Sequence, residues 1–412
     1  MSFIDRTIEN RPATGEAPFE LHECFFSRTD ERGVIQAGNN IFGRVSGYEW
    51  NELIGAPHKR IRHPEMPKGV FWLLWDTIKR GRSMGAYVQN KAKDGLNYWV
   101  YAMVVPCKGG YISARFKPSS PWLATIQSEY AALLEAEQLE NLTPEASGKR
   151  LLARLKELGF EKYHHLAAHT ASTELLARST GLRQKQDPSI VAMRSMLDKA
   201  DTLKQQSEGL IQEFEAMRTI PHNLRVIASR IEPAGGPVTV LSQNYGIMSQ
   251  SMSDWFAEHV VGEKSNFSSI KGAVNNCLYT GCLSAVMREC VDQFTSEGRG
   301  HGAENIDAER EILNRVSKDR NTEAFANLRV VKTEAERILH ACGIMQRHLL
   351  GLSSTRVLCK IESARVPEAG ETLTDIIDQL GAFQARISEK LDNIVALSNE
   401  ISSHEFDADP AE

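Results

Sequence analysis

The apolar positions between residues 24 and 117 change period three times. Phe25-Phe26-Ser27-Arg28-Thr29 and Val34-Ile35-Gln36 are short β-prone runs on either side of the turn residues Asp30-Glu31-Arg32-Gly33, which is the pattern of a hairpin. Asn39 or Asn40 then stands where a helix through Val45 needs its cap, and Glu49 to Ile54 reads as a helical turn closed by Gly55. From Val70 to Arg80 the spacing is helical, with Phe71, Leu74, Trp75 and Ile78 on one face and Gly81 just past the end. Alternation returns in Tyr87 to Lys91, Asn97 to Pro106 and Tyr111 to Lys117, separated by Lys93-Asp94-Gly95 and Lys108-Gly109-Gly110, so an antiparallel meander is expected. Two strands, short helices and three strands make an α+β domain, most economically one five-stranded sheet with helices on one face.

Beyond residue 118 no further alternation occurs. Residues 119–182 read as a polar helical connector, with Pro121 at the domain edge and Thr143-Pro144-Glu145 opening a new helix. Heptad spacing begins at Met193 and runs through Met196, Ala200, Leu203, Ser207, Leu210, Phe214 and Met217. After Pro221 and the turn-rich stretch from Glu232 to Pro237, a second seam follows Val238, Leu241, Tyr245, Met248, Met252, Trp255 and His259. A third runs Leu328, Val331, Ala335, Ile338, Cys342, Met345, Leu349 and Leu352. A fourth, beyond the Val366 to Gly370 turn, runs Leu373, Ile376, Leu380, Phe383, Ile387, Ile394, Leu397 and Ile401, with Lys390 as a polar intrusion. Two antiparallel helical hairpins, over 183–295 and 305–403, supply the seams of a four-helix bundle. Residues 1–21 read as a loose arm, 296–304 as a Gly-rich flexible connector and 404–412 as a disordered tail.

Composition narrows the function. A chain of 412 residues with 42% hydrophobic and 25% charged residues is ordinary for a water-soluble protein of two or three domains. A net charge of −5 offers no broad basic face for nucleic acid or anionic membranes. No apolar run reaches the ~18 residues of a membrane span, and no N-terminal signal pattern is present, so a cytoplasmic protein without membrane insertion is expected. The seven cysteines lack any C-x-x-C pair and read as reduced, buried thiols. His165 and His169 stand one helical turn apart without a further ligand, and are expected to be solvated. Neither a nucleophile elbow nor a P-loop nor a metal box occurs, and an enzyme is not expected.

The candidate chemistry lies at Arg62-His63-Pro64-Glu65-Met66-Pro67. Prolines at 64 and 67 restrict the backbone and hold Arg62 and His63 in place, either as a rigid surface loop or as a prepared ligand site.

Residues 25–117 resemble the flavin-binding PAS domain of bacterial aerotaxis receptors. The likeness is carried by Val45-Ser46-Gly47-Tyr48, by Glu52-Leu53-Ile54-Gly55-Ala56-Pro57-His58, by Ile61 to Pro67, and by Asn90 to Gly95 with Tyr98-Trp99-Val100. It implies a PAS domain over 22–118 that binds FAD through Asn39, Arg62, His63, Glu65, Trp75, Met84 and Asn90, Glu65 and Met84 standing where the family usually has Asp and Trp. Those residue types suit a flavin: Trp75 as a flat wall, Asn39 and Asn90 as amide partners for the pyrimidine edge, Arg62 as a cation for the pyrophosphate. A cofactor-free PAS adaptor and a haem b sensor ligated through His58 or His63 are the alternatives. More weakly, Asn223 to Met248 and Thr355 to Leu380 resemble the hairpin tip of methyl-accepting chemotaxis proteins, through Asn223-Leu224 and Ile231-Glu232 in one copy and Ile361 to Arg365 in the other. That resemblance implies a redox or oxygen sensor whose signalling turns, near Glu232 and Glu362, contact a chemotaxis histidine kinase and its coupling protein, with a homodimer as a further option. Gln205-Gln206 resembles the family's methylation pairs only loosely.

Overall fold

The computed structural model describes residues 11–217, 220–231, 236–259, 266–297, 305–364 and 370–403. Its chain falls into two compact units, one of residues 1–191 and 275–326, the other of 192–274 and 327–412. These units cut across the expected hairpin segments, since each takes chain from both of them.

The first unit is built on a sheet. Strand β1 (Cys24–Asp30) pairs antiparallel with β2 (Ile35–Gly38) across the expected hairpin and, on its other edge, with β5 (Gly110–Phe116). Strands β3 (Met84–Lys91), β4 (Asn97–Cys107) and β5 form the meander, giving the order β2-β1-β5-β4-β3. Turn glycines Gly33, Gly95 and Gly109 have φ of 80°, 94° and 80°, left-handed values that a side chain disfavours. Between β2 and β3 lie α1 (Asn40–Ser46), α2 (Trp50–Leu53), a 3-10 turn His58–Ile61, and α3 (Lys68–Lys79). Helix α2 starts with a reciprocal capping box between Glu49 and Glu52.

Because strand residues alternate, the sheet has two faces with different work. Phe25, Ile35, Val100 and Ala102 build the core under α1 and α2, together with Phe42, Val45 and Leu53. The opposite face was not expected to be covered, yet helices pack over much of it. Tyr87 donates to Glu174 at 2.7 Å and Tyr101 to the Ala167 carbonyl at 3.0 Å, both on α6 (Tyr163–Gly181). Phe26 meets Phe294 edge-on at 5.1 Å, and the Sγ atoms of Cys24 and Cys290 lie 3.1 Å apart, on α10 (Asn266–Ser296). Glu174 is wholly buried and satisfied by Tyr87, the Ser119 and Ser120 amides and the Ser120 hydroxyl, which is what a buried carboxylate requires.

The connector contains α4 (Trp122–Leu139), α5 (Pro144–Glu157) and α6. Thr143 caps α5 by accepting from the Ala146 amide at 3.2 Å, with Pro144 in the first turn as read from sequence. His165 and His169 correct the expectation of a solvated pair. His165 is buried against His164, and His169 packs edge-on to Trp122 and Phe160 at 5.1 and 5.5 Å, because their helix is buried over much of its circumference. Glu297, read as part of a flexible connector, is likewise anchored: it accepts from Asn39 Nδ2 at 2.9 Å and from the Asn40 amide at 2.7 Å.

The second unit is helical. It draws on α7 (Pro188–Met217), α8 (Ile220–Ile231), α9 (Pro237–His259), α10, α11 (Ile306–Ser363) and α12 (Gly370–Ser402). Every described seam residue of α7, from Met193 to Phe214, is buried, as are those of α11 from Leu328 to Leu352. Helices α7 and α12 run antiparallel, since Glu213 pairs with Arg386 and Lys199 with Glu400. So do α9 and α11, where Trp255 donates to the Ala341 carbonyl at 2.9 Å while Met248 meets Gly351 and Thr355. In α12 the seam passes through Leu391, which is fully buried, and Lys390 lies across Gly209 of α7. The side chains of Met217, Val238, Leu241 and Leu373 lie outside the described residues, as do the turns at 232–235 and 365–369. No helix of the described residues is long and apolar enough to cross a membrane.

Candidate functional site

Helix α3 presents two faces to two surroundings. Gly69, Val70 and Leu73 are buried, with Gly69 pressed against Gly148 and Ser147 of α5. Phe71, Leu74, Trp75 and Ile78, the face read as apolar from spacing, line instead a cavity of about 280 Å³ between α3, the 3-10 turn and the inner sheet face. Sequence spacing found the stripe. It could not say that the stripe faces open space rather than packed core.

The cavity has one apolar wall and one polar wall. Trp75 is set edge-on to Tyr111 with ring centroids 5.6 Å apart, which fixes the plane of the indole. Opposite stand Ser27, Ser113, Arg115 and Asn90 on inward positions of β1, β5 and β3. Asn90 is 2% exposed, and its Nδ2 has no hydrogen-bond partner among the described residues. A buried amide donor left this way costs free energy that a ligand acceptor recovers.

Arg115 is fully enclosed in the wall. It donates to Ser27 Oγ at 3.0 Å, to the Ser113 carbonyl at 3.2 Å and to His58 Nε2 at 2.6 Å, and it lies over the rings of Phe25 and Phe42 at 5.8 and 5.6 Å. No carboxylate pairs with it among the described residues. Burial pushes the guanidinium down to about 10, with no acid close enough to reverse the effect. Since arginine only donates, Nε2 of His58 is an acceptor and the ring is neutral. Burial and then the Arg115 charge hold His58 well below the usual histidine range.

The seven expected binding residues separate in space. Arg62, Trp75 and Asn90 converge on the cavity, and Arg62 forms a backbone bridge to Asn90 while its guanidinium rests on Phe71, 3.7 Å from the ring centroid. Asn39 does not reach it: its Oδ1 accepts from the Phe26 amide and its Nδ2 serves Cys24 and Glu297, which also replaces the expected side-chain cap on α1. His63 faces a second cavity beside the first, and its Nδ1 accepts from the Glu65 amide at 3.2 Å. Glu65 is 74% exposed in its side chain and points to solvent. Met84 shares the inward parity of Val88 and Asn90, but lies buried at the start of β3 away from the cavity lining. The tip residue Glu232 lies outside the described residues, as does the side chain of Glu362.

Sequence reading passed over Ser27, Ser113 and Arg115, and weighed His58 only as a haem ligand. The signal was available: these three are polar residues at positions where strand alternation turns side chains inward.

Comparison with known proteins agrees with this domain. Residues 37–110 match the family described as the PAS fold. The aerotaxis receptor of Escherichia coli (strain K12) is 39% identical over 121 residues, which is 28% of this chain and 24% of that protein. The chain thus spans about a quarter of the length of the curated relative it matches. Among solved structures, the PAS domain of a protein from Colwellia psychrerythraea is 21% identical with a TM-score of 0.20, covering 23% of this chain and 85% of that one. The light state structure of the blue-light photoreceptor Aureochrome1 LOV is 24% identical with a TM-score of 0.21, covering 27% and 89%.

Proposed function

Starting from a PAS domain of the aerotaxis-receptor family, we propose that this chain is a non-enzymatic cytoplasmic redox sensor that holds FAD between α3 and the sheet and signals through its helices. The observation that carries the reading is the orphaned Asn90 Nδ2, buried beside a cavity that Trp75 and Phe71 also line. A flat heteroaromatic ring with carbonyl acceptors on one edge meets both needs. Bound flavin would supply reversible electron uptake.

The chain's own residues then have separate tasks. Asn90 donates to a ring acceptor, Trp75 and Phe71 exclude water, and Arg62 sits at the rim as a cation for phosphate. Among the described residues Arg115 is a buried positive charge without a carboxylate partner, so it favours a ligand that becomes more negative, and neutral His58 and Ser27 hold it in place. A change in what Arg115 faces would be felt across the sheet, because β1 and β5 carry Ser27 and Arg115 on one face and the contacts to α10 on the other. The geometry gives the haem alternative no support: His58 Nε2 is taken by Arg115, and His63 lies off the cavity.

Downstream, the reading assigns a chemotaxis histidine kinase and its coupling protein as partners of the helical unit, on the likeness to the aerotaxis receptor. The test is a visible absorption spectrum of the purified full chain before and after dithionite. Paired flavin bands that bleach on reduction support the sensor. A Soret band would replace FAD by haem, and a featureless spectrum after cofactor feeding would leave a cofactor-free adaptor.

A further inference from the structure

Of the seven cysteines, Cys24 and Cys290 are brought together by the fold. Their Sγ atoms, one at the start of β1 and one on α10, lie 3.1 Å apart although 266 positions separate the residues in the chain. Both are free thiols, 1% and 0% exposed. The sulfurs of a disulfide are about 2.05 Å apart, so a closing movement of about 1 Å would join them.

Contacts on both sides hold the two sulfurs against each other. Phe294, one turn further along α10, packs edge-on to Phe26, two residues further along β1. Glu297, just past the end of α10, bonds Asn39, whose Nδ2 also donates to the Cys24 carbonyl at 3.3 Å. On the other side, Arg178 of α6 is 4% exposed. It donates to the Leu21 carbonyl at 2.7 Å and to the His22 carbonyl at 3.0 Å, just ahead of Cys24, and pairs with Glu289, next to Cys290. Such fixing raises the effective concentration of one sulfur at the other.

The Cys24 contact and burial push the Cys290 thiol up, while the Arg178 charge acts the other way. Thiolate is therefore scarce, and the pair resists mild oxidation. Burial also selects the oxidant: glutathione disulfide is too large to reach either sulfur, whereas hydrogen peroxide is uncharged and close to water in size. Once one sulfur is oxidised its partner is already in contact, so closure outruns further oxidation.

We propose that Cys24 and Cys290 form a peroxide-responsive dithiol that closes into a disulfide and clamps β1 to α10. One sulfur, as its thiolate, attacks the O–O bond of hydrogen peroxide and becomes a sulfenic acid, and the departing hydroxide takes up the thiol's proton to leave as water. The other thiol attacks the sulfenic sulfur, the S–S bond forms, and the oxygen leaves with that thiol's proton as a second water. Two thiols and one peroxide give one disulfide and two waters, and a small dithiol reduces the disulfide again. Strand β1 also carries Ser27 to Arg115, so the clamp bears on the cavity wall whatever the cavity holds.

The experiment is incubation of the full chain with hydrogen peroxide until Cys107, the partly exposed thiol, is oxidised, followed by blocking of free thiols in denaturant and mass spectrometry of the peptides. The expected product is a Cys24–Cys290 disulfide that dithiothreitol reverses, with a melting temperature a few degrees above that of the reduced chain. Oxidised glutathione is expected to leave both thiols free. Cys24→Ala and Cys290→Ala, which keep a small apolar side chain, are expected to abolish the disulfide and the shift in melting together. The wild-type peptides decide the question even where a variant folds poorly.

Finding both cysteines free once Cys107 is oxidised would overturn the proposal, as would sulfinic acid at either position without a disulfide. A disulfide from either cysteine to a third one would overturn the pairing. Equally fast closure with oxidised glutathione would overturn the selection of a small oxidant.

Discussion

At the scale of single residues, burial of polar groups carries the information. Asn90 and Arg115 are both enclosed, yet among the described residues the Asn90 amide donor has no acceptor and the Arg115 charge no carboxylate partner. Such groups are uncommon inside a fold, since a buried unsatisfied donor costs about 1–3 kcal/mol. Replacing Asn90 by leucine therefore separates folding from binding. Asn90→Leu is expected to leave the stability of the ligand-free protein unchanged or higher, because an apolar side chain of similar size removes the orphan, and to lower flavin affinity by about tenfold or more. Thermal melting of the ligand-free chain and flavin titration check the two halves. A variant that melts earlier and still binds flavin would mean that the amide serves the fold.

At the scale of elements, the position of α3 is set by glycines rather than by its apolar stripe. A Cβ on Gly69 would lie 2.6 Å from the Gly148 amide nitrogen, and one on Gly148 would lie 2.6 Å from the Trp72 ring. Helices α3 and α5 thus approach backbone to backbone, and the Glu137 bonds to Gly69 and Ser147 tie α4 to the same junction. In an isolated helix Gly→Ala gains about 0.5–1 kcal/mol. Here the overpacking cost of about 1–3 kcal/mol exceeds it. Gly69→Ala is expected to destabilise the protein by about 1–2 kcal/mol, read as a lower urea midpoint at unchanged slope. A stabilised variant would show that the two helices have room to part.

At the scale of the whole molecule, the PAS sheet is not self-sufficient. Its outer face carries Phe26, Tyr87, Tyr101 and Phe116, all buried, and the described partners of Phe26 and Tyr87 are Phe294 and Glu174, far along the chain. A fragment of residues 11–118 would expose that face as a contiguous apolar patch, of the kind that drives association. It is expected to elute as oligomers or aggregate on gel filtration, whereas the full chain does not. A monomeric, soluble fragment would show that the helical cover adds little.

Local physics made much of this legible. Turn glycines, alternation and the helical stripe at Phe71, Leu74, Trp75 and Ile78 are short-range signals, and the strands and helices of the PAS domain stand within a few residues of where they are read. The heptad seams are equally plain, because the described seam positions of α7 and α11 repeat at three and four residues and are all buried. What spacing does not encode is which surface meets which. Asn39 carries a residue type that suits a flavin, yet tertiary structure spends it on β1 and Glu297. Glu65 and Met84 sit near the site in sequence and away from it in space. Arg115 became a site residue only when strands distant in the chain were brought around one cavity. Sequence by itself determined the elements, through propensity and period. Tertiary structure decided the chemistry, because a charge or a donor becomes functional by being buried without a partner, and that depends on every element that folds over it.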